Sequence, residues 1–238
     1  MKARISYCVL VFLFGVMNIQ ASDIHILASK GDTQAAHDLL KNHPKEISAV
    51  DGDANTPLHL ACREGHSKII ELLLSKGADP NARNAKKETP LHSLVSSPGD
   101  NPALIEILLS RGAAIEAKDA NNETPLFQAC SLGKPKSAQL LVEKGAYVNM
   151  RRGKYPGWTP MYAAAVGAVN PDHTDQQRAG FVAIVKMLLK NGADFRAQCG
   201  PRQETAYDYI ATVPDGGKRN DSAGAQDFLA KFMGGCTP

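Results

Sequence analysis

Tryptophan is almost absent from this sequence: one residue in 238, within an aromatic share of only 6%. Sandwich and barrel cores draw on aromatic and β-branched side chains, whereas leucine and alanine carry the hydrophobic load here. Packed helices are expected, and an all-β fold is disfavoured. Charge of one sign is lacking too, with 27 Lys and Arg against 24 Asp and Glu. So balanced a chain implies no nucleic-acid partner. A glycine-rich phosphate loop, a nucleophile elbow and paired catalytic carboxylates are missing, so neither an enzyme nor a cofactor is expected. No apolar run reaches the roughly 20 residues a membrane helix needs; the run from Ile5 to Met17 holds thirteen. What is present, 43% hydrophobic and 21% charged residues, is the composition of a globular chain.

The first residues have a character of their own. Lys2 and Arg4 precede the apolar run, Asn18 ends it, and small residues follow at Ala21 and Ser22. This is the layout of an export signal cut after residue 21; an uncleaved anchor or a first core helix is the alternative. A short signal with few charges points to a bacterial periplasm, with secretion as the other destination. Cleavage removes Lys2, Arg4 and Cys8 and leaves 25 basic residues against 24 acidic ones.

Internal similarity organises the rest. Thr56-Pro57-Leu58-His59 returns as Thr89-Pro90-Leu91-His92, as Thr124-Pro125-Leu126-Phe127 and as Thr159-Pro160-Met161-Tyr162, with a weaker copy at Thr205-Ala206-Tyr207. Gly77-Ala78, Gly112-Ala113, Gly145-Ala146 and Gly192-Ala193 follow as a second marker. Thr56 can cap a helix whose first position is taken by Pro57, where a missing N–H costs nothing. Leu58, Ala61 and Cys62 share a face at helical spacing, and Ile69, Ile70 and Leu72 to Leu74 make a second helix apolar on two sides. Gly77 supplies the left-handed conformation that ends it. One such unit cannot bury its own apolar surface, so the units must stack.

These markers resemble the ankyrin repeat, best over residues 56–83, TPLHLACREGHSKIIELLLSKGADPNAR. The resemblance implies an all-α solenoid of about six helix pairs joined by protruding β-hairpin loops. Its expected divisions are a leader at 1–21, an N-terminal capping repeat at 22–55, repeats at 56–88, 89–123, 124–158 and 159–198, and a C-terminal capping repeat at 199–238. It also implies that His59 and His92 brace neighbouring hairpins and that His66 fills a standard repeat position. His25, His37 and His43 receive no role. Asp172, His173 and Asp175 are a weak cation candidate in a region that offers little preorganisation, and no metal is expected.

Departures from the pattern point to function. The repeat beginning at Thr159 carries about twelve extra residues, expected as a surface loop near 170–180 (NPDHTDQQRAG). The hairpin before it is long and reads Arg151-Arg152-Gly153-Lys154-Tyr155-Pro156-Gly157-Trp158. Trp, Tyr and Arg are enriched in interface hot spots, so Arg151, Arg152, Tyr155 and Trp158 are candidate partner contacts. Packing of Trp158 on Tyr162 is the alternative. Hairpin tips add Lys86, Glu88, Asn121 and Glu123. The concave wall adds Leu60, Arg63, Glu64, Ser93, Ser96, Ser97, Gln128, Ser131, Leu132, Ala163 and Val166. Of these, Leu60 and Leu132 are apolar where solvent is the default.

Cys62 and Cys130 hold the same helix position two repeats apart. At roughly 8–10 Å per stacked helix they are too far apart to bridge. Cys199 and Cys236 flank the C-terminal cap and are a candidate disulfide. The expected function is a monomeric periplasmic module that binds a protein partner through its concave groove. An immunity protein occluding an antibacterial toxin is the leading form. Support of a periplasmic catalase under peroxide stress, or an effector binding a host protein, are the alternatives.

Overall fold

The computed structural model describes residues 22–153, 157–200 and 202–210. Eleven helices follow one another there: α1 (Ser22–Lys30), α2 (Thr33–Asn42), α3 (Pro57–Glu64), α4 (Ser67–Ser75), α5 (Pro90–Val95), α6 (Pro102–Ser110), α7 (Pro125–Ser131), α8 (Pro135–Glu143), α9 (Pro160–Val169), α10 (Asp175–Lys190) and α11 (Ala206–Ile210). A 3₁₀ turn at Pro44–Ser48 follows α2. Five helix pairs and the first helix of a sixth are therefore seen. No helix among the described residues is long and apolar enough to cross a membrane.

The sequence markers set the local geometry. Thr56, Thr89, Thr124 and Thr159 are extended N-caps, each followed by proline at the first helical position. Two residues, Gly65 and His66, separate α3 from α4, so the pair must fold back on itself. First helices stack as α1, α3, α5, α7, α9 and α11, and second helices α6, α8 and α10 stack beside them. Leu58, Leu91, Leu126 and Met161 form one buried row, and Leu73, Leu108, Leu141 and Leu188 another. Truncating any of these to alanine removes about 2–5 kcal/mol. Cys62 and Cys130 lie fully inside this core as free thiols, and burial pushes both thiol pKa values up.

Two stretches longer than the basic repeat are ordered structure: Thr89 to Gly112 spans 23 residues against 21 from Thr56 to Gly77, and the Thr159 repeat is longer still. In the repeat beginning at Thr89, Asp100 accepts the N–H groups of Lys136 and Ser137, both at 2.8 Å, and so caps α8 of the following repeat. Lys134 donates back to the carbonyls of Ser97 and Gly99. The stretch expected as a loop at 170–180 is a correction: only Asn170 to Thr174 turn, and the remainder lengthens α10 to 16 residues. Thr174 and Gln177 close a capping box, with Gln177 Oε1 accepting the Thr174 N–H at 2.8 Å. The extension holds because Phe181 plugs a notch whose walls are Gly133 and Gly167, where any Cβ would collide with the phenyl ring. His173 stacks on that ring at 4.9 Å and bonds the Gly167 carbonyl through Nδ1 at 2.9 Å.

Candidate protein-binding groove

The groove is built from the hairpins and the first helices, and its geometry begins with histidine. His59 Nδ1 accepts the N–H of its own N-cap, Thr56, at 3.1 Å, while Nε2 faces the Glu88 carbonyl of the next hairpin at 3.0 Å. A fixed donor on one side and a fixed acceptor on the other require the Nε2–H tautomer. His92 repeats this with Thr89 and the carbonyl of Glu123. His25 Nε2 reaches the Asn55 carbonyl at 2.9 Å, a brace the sequence reading missed. Its signal was available: His25 precedes His59 by one repeat length. His66 ties Ser29 in the same way. Burial holds His59 and His92 below the ordinary imidazole range, against the pull of neighbouring carbonyls and carboxylates.

The hairpins at Asp51, Asn84 and Asp119 are each closed by their own acid or amide. Asp119 Oδ1 accepts the N–H groups of Asn121 and Glu123, both at 2.8 Å, and Asn84 does the same for Lys86 and Glu88. Neighbouring hairpins are then joined through backbone, Ala85 N–H to Asp53 O and Ala120 N–H to Lys86 O, each at 2.8 Å.

At Phe127 the imidazole is gone and the chemistry changes. Arg152 places its guanidinium 5.7 Å from the Phe127 ring centre and 5.8 Å from that of Trp158, and its Nε pairs with Glu123 Oε1 at 2.9 Å. Its own N–H donates to the Trp158 carbonyl at 2.8 Å, closing the long hairpin. Gly157 is required there, since a Cβ would strike the Arg152 carbonyl. Trp158 meets Tyr162 edge to face at 5.1 Å, and the Tyr162 hydroxyl donates to Glu204 at 2.9 Å. The indole remains 37% exposed, so it both packs and presents a face. Glu123 is pushed up by burial and by the carboxylates of Asp119 and Glu88, with Arg152 opposing.

The remaining candidates divide. Lys86, Asn121, Arg63 and Arg151 are exposed, with Arg63 near Glu64 at 3.6 Å and Arg151 donating to the Gln198 carbonyl. Glu88 is half-buried and accepts from Asn84 Nδ2. Leu60 is a correction: at 7% exposure it belongs to the core, because the residue after the histidine wedges between stacked helices. Gln128, Ser93 and Ala163 hold the same register and are buried likewise, as is Ser97. Leu132 is 48% exposed, and Ser96 and Ser131 are exposed with it. Tyr155 and Cys236 lie outside the described residues, so the Tyr155 contact and the Cys199–Cys236 bridge do too. Cys199 is buried against Thr159 and Ala197. No three His, Cys, Asp or Glu side chains converge as metal ligands among the described residues.

A row of capped hairpins above stacked helix pairs defines a helical-repeat solenoid. The family model for ankyrin repeats (3 copies) matches residues 24–119 and 91–199, and the chain belongs to that family. It is 35% identical over 178 residues to mouse Ankyrin repeat and SOCS box protein 16, covering 75% of this chain and 37% of that protein. A stretch of 71 residues is 45% identical to the Transient receptor potential cation channel subfamily A member 1 homolog of Caenorhabditis elegans, covering 30% of this chain and 6% of that one. The human channel of the same name shares 30% identity over 124 residues, 52% of this chain and 11% of its own length. The chain thus spans a minor part of each of these relatives.

Proposed function

We propose that this protein is an exported protein-binding module whose groove, centred on Trp158, receives a partner in a bacterial periplasm. The observation that carries the reading is the half-exposed indole at the base of the longest hairpin, held in place by Arg152 and Tyr162. A rigidly mounted, partly exposed aromatic ring is the composition of a hot spot rather than of a solvated loop. The ankyrin family match supports a protein partner. The basic n-region and apolar run before Ser22 support export.

The form to test first is an immunity protein, in which the groove covers the active site of an incoming toxin. A partner that sustains a periplasmic peroxide-stress enzyme is the second form. Capture from a periplasmic extract, with the chain from Ser22 as bait and a Tyr155→Ala/Trp158→Ala bait as control, tests both. A single protein held by the native bait and lost with the control is expected, and its identity selects the form. Equal retention by both baits would remove the groove around Trp158 from consideration.

A further inference from the structure

The near-neutral composition hides a division of labour along the hairpins. Their acidic side chains are engaged by the protein itself. Asp51 accepts the N–H groups of Asp53 and Asn55, Asp119 those of Asn121 and Glu123, Asp79 that of Asn81 and Asp194 that of Arg196. Glu88 accepts from Asn84, Glu123 pairs with Arg152, and Glu204 accepts from Tyr162. Asp53, at the N-terminal end of the row, is the exception.

The basic side chains are not engaged in this way. Arg83, Lys118 and Arg151 each stand six residues after their repeat's marker glycine, at Gly77, Gly112 and Gly145, and all three are exposed. Lys86 and Lys87 are exposed on the tip beside Arg83. The side chains of Arg83, Lys86, Lys87 and Lys118 enter no ion pair and no hydrogen bond among the described residues, and that of Arg151 meets only the Gln198 carbonyl. The hairpin edge therefore presents exposed, unpaired basic side chains at one register position in three successive repeats, while most of its carboxylates are turned to neighbouring N–H groups.

We propose that this edge docks an extended acidic segment of the partner protein, which deepens and rests on the groove reading above. Spacing supports the choice. Stacked repeats place equivalent side chains roughly 8–10 Å apart. A polyproline-II segment rises about 3.1 Å per residue with three residues per turn, so carboxylates at every third position face one way at about 9 Å intervals. A β-strand would turn alternate members of that series to the opposite face. Nucleic acid fits less well, because a duplex strand carries a phosphate for about every 3.4 Å of rise, several to each interval of this row.

The test is fluorescence anisotropy with three labelled probes: a twelve-residue proline-rich peptide with glutamate at every third position, the same peptide with lysine, and a twelve-nucleotide oligothymidylate. Two variants accompany the native protein, Arg83→Gln/Lys118→Gln/Arg151→Gln on the hairpins and Lys68→Gln/Lys76→Gln/Lys190→Gln on the second helices and their C-cap. Thermal melts establish that each is folded, and the single Lys118→Glu variant replaces the hairpin triple if it is not. The glutamate peptide is expected to bind, to weaken as salt rises from 50 to 200 mM, and to lose tenfold or more with the hairpin variant alone. Equal binding of the lysine peptide, equal loss in both triples, or tighter binding of the oligothymidylate would overturn the proposal. A partner captured through Trp158 that ignores the hairpin triple would leave the groove standing and end the acidic-segment inference.

Discussion

In the repeats that begin at Thr56 and Thr89, an imidazole closes the gap to the next hairpin; in those that begin at Thr124 and Thr159, a phenyl and a phenol ring stand in its place. The first arrangement is buried, neutral and satisfied at both ring nitrogens, and it leaves nothing for a partner to hold. The second cannot bond a carbonyl at Phe127, so Arg152, Glu123 and Trp158 assemble over the ring instead. That assembly needs long side chains reaching from a longer hairpin, and part of the indole stays in water. A partly exposed aromatic surface thus arises where the repeat departs from its own rule.

The largest effect should come from the departure in α10. Phe181→Ala empties the notch between Gly133 and Gly167 and should cost about 3–5 kcal/mol. Hydrogen exchange is expected to show faster opening of α9 and α10 while α3 to α6 keep their protection. Uniform acceleration along the chain would mean that the two regions do not differ in this way.

His92→Leu comes next. It leaves the Thr89 N–H and the Glu123 carbonyl buried without the ring, at about 1–3 kcal/mol in urea unfolding. Acid should act on the same braces. Burial lowers the folded-state pKa of His59 and His92 below the ordinary 6.5, so the unfolded chain takes up protons first as pH falls. Their contribution is complete above about pH 6.5 and is lost as pH drops toward the folded-state values. A His59→Asn/His92→Asn protein should show a flatter stability profile between pH 7 and 5 than the native one.

A smaller change of opposite sign is expected at Glu116. Asn81 and Asn149 each clamp the following repeat twice, through Gly112 O and Ala114 N or through Gly192 O and Asp194 N. Glu116 holds the matching position, accepts the Tyr147 N–H, and leaves Oε2 buried with no partner. Glu116→Asn restores the missing donor and should raise stability by about 1 kcal/mol, read as a higher Tm. Smallest of all is Arg152→Lys, expected below about 1 kcal/mol because the pair is partly solvated. Its mark should fall on Trp158 exposure, measured by acrylamide quenching, since a lysine cannot stack on two rings.

Most of the scaffold was legible because caps, prolines and marker glycines act locally. Thr56-Pro57 and Gly77 announce their roles wherever they occur. Exposure was not legible in the same way. Leu60 and Gln128 read as concave wall, yet the closeness of stacked first helices buries that register. The α10 extension was misread as a loop although Thr174 and Gln177 spell a capping box ahead of an apolar run. Phe181 could not be anticipated, because its notch joins glycines from two different repeats. The hairpin at 151–158 was singled out by its length and residue types, but the pairing of Arg152 with Glu123 depends on the fold.

The central claim is that Trp158 marks the surface a partner covers, and the chain carries no other tryptophan to confuse its signal. Titrating the captured partner, or a tryptophan-free form of it, while recording tryptophan emission reads that residue directly. A saturable blue shift as the half-exposed indole loses water is the expected result. Complex formation with unchanged emission would place the partner elsewhere and contradict the account.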